Sequence, residues 1–204
     1  MANLTSTPDI VGANVDTPYS DFDGFKAFAE ANPEAIKVGA TFGSTSQFLW
    51  LLLAQKMGIE FSVVPYDGTA ERMTALLSGA IDMGSLNVAS GQKHFESGAL
   101  QGFAIAANER DPKVPDMPTL KELGVDLTFA LERGIVAPKG TPTDVIAHWS
   151  DIFKQATENA ALVESLTAKG TGIDYQTPDE YRAWAEDLYG EYEEVAIAIG
   201  MYQK

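Results

Sequence analysis

Apolar positions in the first two-thirds of the chain switch repeatedly between helical spacing and short continuous runs. Phe22, Phe25, Phe28 and Ala29 recur at helical spacing. Ser20, with Asp23 three residues on, forms a capping-box pair before them, and Asn32-Pro33 stops the run. Residues 36–40 read as a strand. A small polar loop, residues 41–47, leads into an apolar helix from about Ser46 to Lys56, closed by Gly58. Residues 61–65 predict the next strand; Tyr66-Asp67-Gly68 turns, and Thr69 caps a helix through Leu77 that Gly79 ends. Residues 81–84 are another strand, followed by Asn87 and a short helix over 88–95. Residues 100–106 form a strongly apolar strand. The opening segment is polar and broken by Pro and Gly, with Ile10-Val11 as a short strand or linker. Strands alternating with helices across short Gly-rich joints predict an α/β fold with a mostly parallel sheet.

The pattern then changes. Pro112, Pro115 and Pro118 mark a loop, and Thr119 with Glu122 predicts a capping box for a helix of one or two turns ended by Gly124. Residues 125–130 read as a strand and 134–138 as a second strand or crossover. Thr141-Pro142 with Asp144 is a helix start, after which Val145, Trp149, Ile152, Phe153 and Ala156 share one face. Residues 159–168 predict another helix. Thr177-Pro178-Asp179-Glu180 repeats the start signal before a last helix that is expected to bury Tyr181, Trp184, Leu188, Tyr192, Val195 and Ile199. This all-helical tail predicts a boundary near residues 134–140.

Composition narrows the functional classes. The chain has 204 residues, 45% hydrophobic and 21% charged, enough for one large domain or one domain and part of a second. There is no cysteine, so disulfides and thiolate metal sites are excluded. A net charge of -15 repels phosphate backbones and argues against nucleic-acid partners. An anionic ligand in so acidic a protein needs local help from helix N-termini and hydroxyls. No run approaches the ~20 apolar residues of a membrane span; the longest, residues 48–54, fits a buried helix. Residues 1–5 lack the basic and apolar regions of a signal peptide.

The best candidate site is the strand-to-helix loop carrying Thr41, Gly43, Ser44, Thr45, Ser46 and Gln47. It lies at the carboxyl end of a predicted strand, where α/β sheets bind ligands. Plain helix capping produces the same Ser/Thr cluster. Tyr66 and Thr69 mark a second such junction, and Asn87 a third. All three share one topology, so they should line one sheet edge. Enzymatic signals are missing: His94 and His148 have no metal-spaced partners, and there is no nucleophile elbow or phosphate loop. Gly170-Thr171-Gly172 has neither the spacing nor the helix start of a dinucleotide loop. Glu132-Arg133 is either a structural ion pair or a binding arginine. Trp149 and Trp184 sit at core spacing. These residues predict no catalysis, no cofactor and no metal.

Three longer motifs carry a resemblance. Residues 64–71 with 76–82, Glu109-Arg110 with 115–124, and residues 133–142 resemble, in order, motifs of the tripartite tricarboxylate transporter solute-binding (Bug-type) family. The resemblance implies a type II periplasmic-binding-protein clamshell that binds a small organic carboxylate in the cleft for membrane permease subunits. It implies a periplasmic location, with the loop 41–47 as a carboxylate loop and Asn87 near the cleft; Arg133 stands beside them as a candidate ligand contact. By the same resemblance, residues 1–15 are a crossover or linker strand. Residues 16–133 are then the ligand-binding α/β lobe, and 134–204 the returning C-terminal helices of the other lobe. The family's signal peptide and the front half of its first domain would lie outside this sequence. The returning helices would then need a partner, which leads to an expectation of self-association. The competing reading is a ligand-free structural or regulatory module of the same fold.

Overall fold

The computed structural model describes residues 2–201, and the chain divides into two compact units. One spans residues 8–130; the other joins residues up to Thr7 with those from Leu131 onward. Strand β1 (Ala2–Ser6) belongs to the second unit and β2 (Asp9–Asn14) opens the first. The segment 1–15, read from sequence as one linker strand, therefore holds two strands, one in each unit.

The larger unit continues with α1 (Phe22–Ala31), β3 (Lys37–Ala40), α2 (Thr45–Met57), β4 (Ser62–Pro65), α3 (Thr69–Leu77), β5 (Met83–Asn87), α4 (Val88–Glu96) and β6 (Leu100–Ile105). The sheet order is β4-β3-β5-β2-β6. β3 runs parallel to β4 and β5, while β2 is antiparallel to both β5 and β6. One strand of five thus opposes the rest. The fold is the mostly parallel α/β class that the alternation predicts.

Its core is apolar and close-packed. Ile10, Leu76, Ile81, Leu86, Leu100 and Ile105 form one cluster. Trp50 is fully buried and its indole N–H donates to the Gly39 carbonyl at 3.3 Å. Phe25 stacks on Phe61 and Phe103, each 6.2 Å away. A buried aromatic of this size contributes roughly 2–3 kcal/mol.

Three local expectations change. Asp21, not Ser20, caps α1, because its extended backbone lets the carboxylate accept the Gly24 N–H at 2.8 Å. Thr119 and Glu122 do make their reciprocal bonds, at 2.7 and 3.1 Å, but these close turns and not a helix, since Gly124 follows at φ 82°. Residues 125–130 are extended without joining a sheet. Phe129 N–H reaches the Ala106 carbonyl, and Ala130 forms a single bridge with Pro8.

The smaller unit adds β7 (Arg133–Ile135), α5 (Thr143–Thr157), α6 (Ala160–Ala168), β8 (Gly172–Gln176) and α7 (Pro178–Ala198). β7 and β8 flank β1, both antiparallel to it. The tail is therefore not all helical: residues 172–176, without a strong apolar run, pair through the backbone with β1. Asn159 caps α6 at 3.1 Å, and Thr177 with Glu180 forms a full capping box on α7.

Burial here is thin. Among the described residues, the buried hydrophobics of this unit are Ala2 and Val195. The expected stripe on α7 is only half-buried at Tyr181, Trp184, Leu188 and Tyr192, and Ile199 is exposed. On α5, Val145, Trp149 and Ile152 are exposed, while Ser150 and Thr157 are buried. Periodicity identified the apolar faces; it carries no information on what covers them.

Candidate functional site

Sheet register gathers the candidate loops. Ala40 ends β3 opposite Pro65, the end of β4. β2 runs the other way, so its first residue, Asp9, sits opposite Asn87, the last residue of β5. The junctions after β3, β4 and β5 therefore open on one edge of the sheet, joined by Asp9.

The loop after β3 folds on itself. Gly43 takes φ 74°, a conformation that favours glycine. Ser44 occupies the N-cap position of α2 but makes no side-chain cap bond. Its hydroxyl donates instead to the Thr41 carbonyl at 2.6 Å and meets the Ser46 hydroxyl at 2.8 Å. Ser46 is buried and accepts the Thr41 N–H at 3.0 Å. Gln47 Oε1 accepts the Gly43 N–H at 2.8 Å. Thr45 starts the helix and is exposed. The cluster is thus a shaped loop at a helix N-terminus and not a simple cap.

Its charge comes from a residue that the sequence reading passed over. Arg72, on the first turn of α3, donates Nη1 to both Thr41 Oγ1 and Ser46 Oγ at 2.8 Å, and Nη2 to Thr69 Oγ1 at 3.2 Å. One guanidinium thereby ties the second junction to the first. Burial draws the Arg72 pKa down, and the nearby Asp9 charge acts against this. The available signal was the spacing Thr69 to Arg72, three apart at the start of a helix that opens on the loop edge.

Asp9 accepts a hydrogen bond from the Ser85 hydroxyl at 2.7 Å. Burial pushes its carboxyl up to about 6, with Ser85 and Arg72 opposing the shift. Asn87 spends its side-chain oxygen on capping α4, accepting the Ser90 N–H at 2.9 Å. Tyr66 leaves β4 with its N–H on the Ala40 carbonyl at 2.9 Å. It also borders an open depression of about 530 Å³ with Ala70, Thr74 and Ala80. That depression is mostly apolar in lining and holds none of the hydroxyl cluster, so its chemistry does not point to an anion.

Arg133 belongs to the smaller unit, where Nη1 donates to Thr7 Oγ1 at 3.0 Å. Its neighbour Glu132 accepts from Ser6 and Asn3, each at 2.7 Å. Burial raises the Glu132 pKa, and these two bonds oppose it.

Chemically, a guanidinium ringed by three hydroxyls beside a helix N-terminus suits an oxyanion. Among the described residues, no group of three or more His, Cys, Asp or Glu could hold a metal ion. No helix among them is long and apolar enough to cross a membrane.

Residues 1–200 match the tripartite tricarboxylate transporter family receptor. The chain belongs to that family. Its members are receptors for solutes, not enzymes. A UPF0065 protein of Cupriavidus necator is 30% identical over 187 residues, which cover 91% of this chain and 57% of the relative. The chain thus spans a little over half the length of that relative. A solute-binding protein of the family from Polaromonas superposes with a TM-score of 0.85 at 23% identity, covering 97% of this chain and 68% of that one. MatC of Rhodopseudomonas palustris, solved with bound malate, gives a TM-score of 0.77 at 27% identity over 95% of this chain and 68% of its own. The fold class expected from the motifs is that of these solute-binding proteins.

Proposed function

We propose that this chain is an extracytoplasmic solute-binding protein, or a fragment of one, that takes up a small organic carboxylate for a tripartite tricarboxylate transporter. The unit of residues 8–130 acts as the ligand-binding lobe. Thr41, Gly43, Ser44, Thr45, Ser46, Gln47, Tyr66, Thr69 and Asn87 form its binding edge. The observation that carries the reading is the Arg72 guanidinium held among the hydroxyls of Thr41, Ser46 and Thr69 at the carboxyl edge of the sheet. MatC, a relative in fold and sequence, was solved with a dicarboxylate, which favours the same ligand class here.

Recognition is by pre-placed donors. A carboxylate exchanges water for charge-assisted bonds from Arg72 and for the N-terminal field of α2. The site is held before the ligand arrives, so little ordering cost falls on binding. Periplasmic location, delivery to permease subunits and self-association through the C-terminal helices complete the proposal. The exposed faces of α5 and α7 support the last of these. Calorimetric titration with mono-, di- and tricarboxylates tests the binding claim. Heat saturating at one site per chain is expected, and a folded protein that binds none of them contradicts it.

A further inference from the structure

A second polar cluster lies within the smaller unit, built by the register of its sheet. Asn3 on β1 sits opposite Gln176 on β8. Glu132 directly precedes β7, which pairs with the other side of β1. Asn3 is fully buried, and its Nδ2 donates to two carboxylates at once, Glu132 Oε2 at 2.7 Å and Asp174 Oδ2 at 3.1 Å. Gln176 Nε2 donates to the same Asp174 oxygen at 2.8 Å, and the Ser6 hydroxyl to Glu132 Oε1 at 2.7 Å. Neutral donors thus face two acids. The cation next in sequence, Arg133, turns its Nη1 to Thr7 Oγ1. Burial, reinforced by the Asp174 charge, raises the Glu132 pKa.

The oxygens of the same two amides are unmet. Asn3 Oδ1 and Gln176 Oε1 are buried without a hydrogen-bond partner, as is Thr5 Oγ1 on β1. Among the described residues, the Tyr19 hydroxyl is the other buried side-chain group in that condition. The unmet oxygens therefore concentrate on β1 and β8. A buried acceptor without a donor is costly, and two acids joined to two such amides call for positive charge. An amide presents either its NH2 or its oxygen to one spot by a half-turn about its last bond. The Asn3 NH2 stands between the acids in the structure; with a cation there, Oδ1 turns in to meet it.

We propose that Glu132, Asp174, Asn3 and Gln176 form a calcium site in the smaller unit, with the two carboxylates and the two amide oxygens as ligands. These donors are all oxygens, which suits calcium and not a transition metal. Calcium takes about six to eight oxygens in loose geometry, and Glu132 and Asp174 are only half-buried, so water completes the shell. The ion would tie β1, β8 and the residue before β7 together in the unit with the thinner apolar core. It adds its binding free energy to the stability of that unit. The proposal does not depend on carboxylate binding.

Calorimetric titration of calcium chloride into the chelator-treated native chain tests it. Sodium chloride at about 0.15 M screens the diffuse attraction of a chain carrying a net charge of -15. One site per chain is expected, with a dissociation constant of about 0.1–1 mM, the range of weak extracellular sites. Asp174→Asn should weaken it by about tenfold or more, and Glu186→Gln, on the exposed side of α7, should leave it unchanged. A folded native chain that binds no calcium overturns the proposal. So does binding of equal strength in Asp174→Asn, which is the behaviour of a diffuse acidic surface. NMR of the native chain needs no variant: calcium should shift the side-chain amide signals of Asn3 and Gln176, and unmoved signals at saturating calcium overturn the assignment.

Discussion

At the scale of single residues, the binding edge depends on Arg72. Its two Nη1 bonds, one to each side of the loop, use the planar fork of a guanidinium. Arg72→Ala is expected to weaken carboxylate binding by about tenfold to a hundredfold, the range for a charged hydrogen-bonding group. Arg72→Lys, a point charge without the fork, should recover only part of the loss. Asp9 supplies a residue-scale prediction for stability. Its folded pKa is raised, so its contribution is fully present below the unfolded value near 3.8 and is lost as pH rises through about 6. Denaturation of Asp9→Asn between pH 4 and 7 should lack that component, and an unchanged pH profile would refute the assignment.

At the scale of elements, the sequence was most legible where local chemistry decides. The Thr177-Pro178 start of α7, the Gly58 stop of α2 and the three strand-to-helix junctions all follow from capping and turn preferences. Arg72 escaped because its two shortest bonds go to Thr41 and Ser46, 31 and 26 positions away, and only sheet register brings that loop beside α3. β8 escaped because its pairing is made by backbone groups that leave no apolar signature. The stripe of α5 shows the converse, a legible pattern whose Val145, Trp149 and Ile152 stay exposed. A close approach on α7 gives a test at this scale. A Cβ at Gly134 would lie 2.5 Å from the Tyr181 ring, which stacks on Trp184 at 5.4 Å. Gly134→Ala is expected to displace the ring and destabilise the smaller unit by about 1–3 kcal/mol. Amide exchange along β7 and α7 would register it.

At the scale of the whole molecule, the two units differ in what they bury. The unit of residues 8–130 carries nearly the whole apolar core, from Ile10 through Trp50 to Phe129, whereas the other exposes Val136, Trp149 and Met201. Hydrogen exchange should therefore show slow amides in β2, β3 and β5 and faster ones in α5 and α6. Large exposed apolar faces favour association, so light scattering should show mass rising with concentration. A strictly monomeric protein at high concentration would remove self-association from the account. One sheet edge, organised by Arg72, is proposed to hold a carboxylate. Calorimetric titration of malate into the native chain and into Arg72→Ala tests it most directly. Single-site binding to the native protein and a loss of about tenfold or more in the variant are expected. Equal affinity in the two, or a folded native chain that binds no carboxylate, would contradict it.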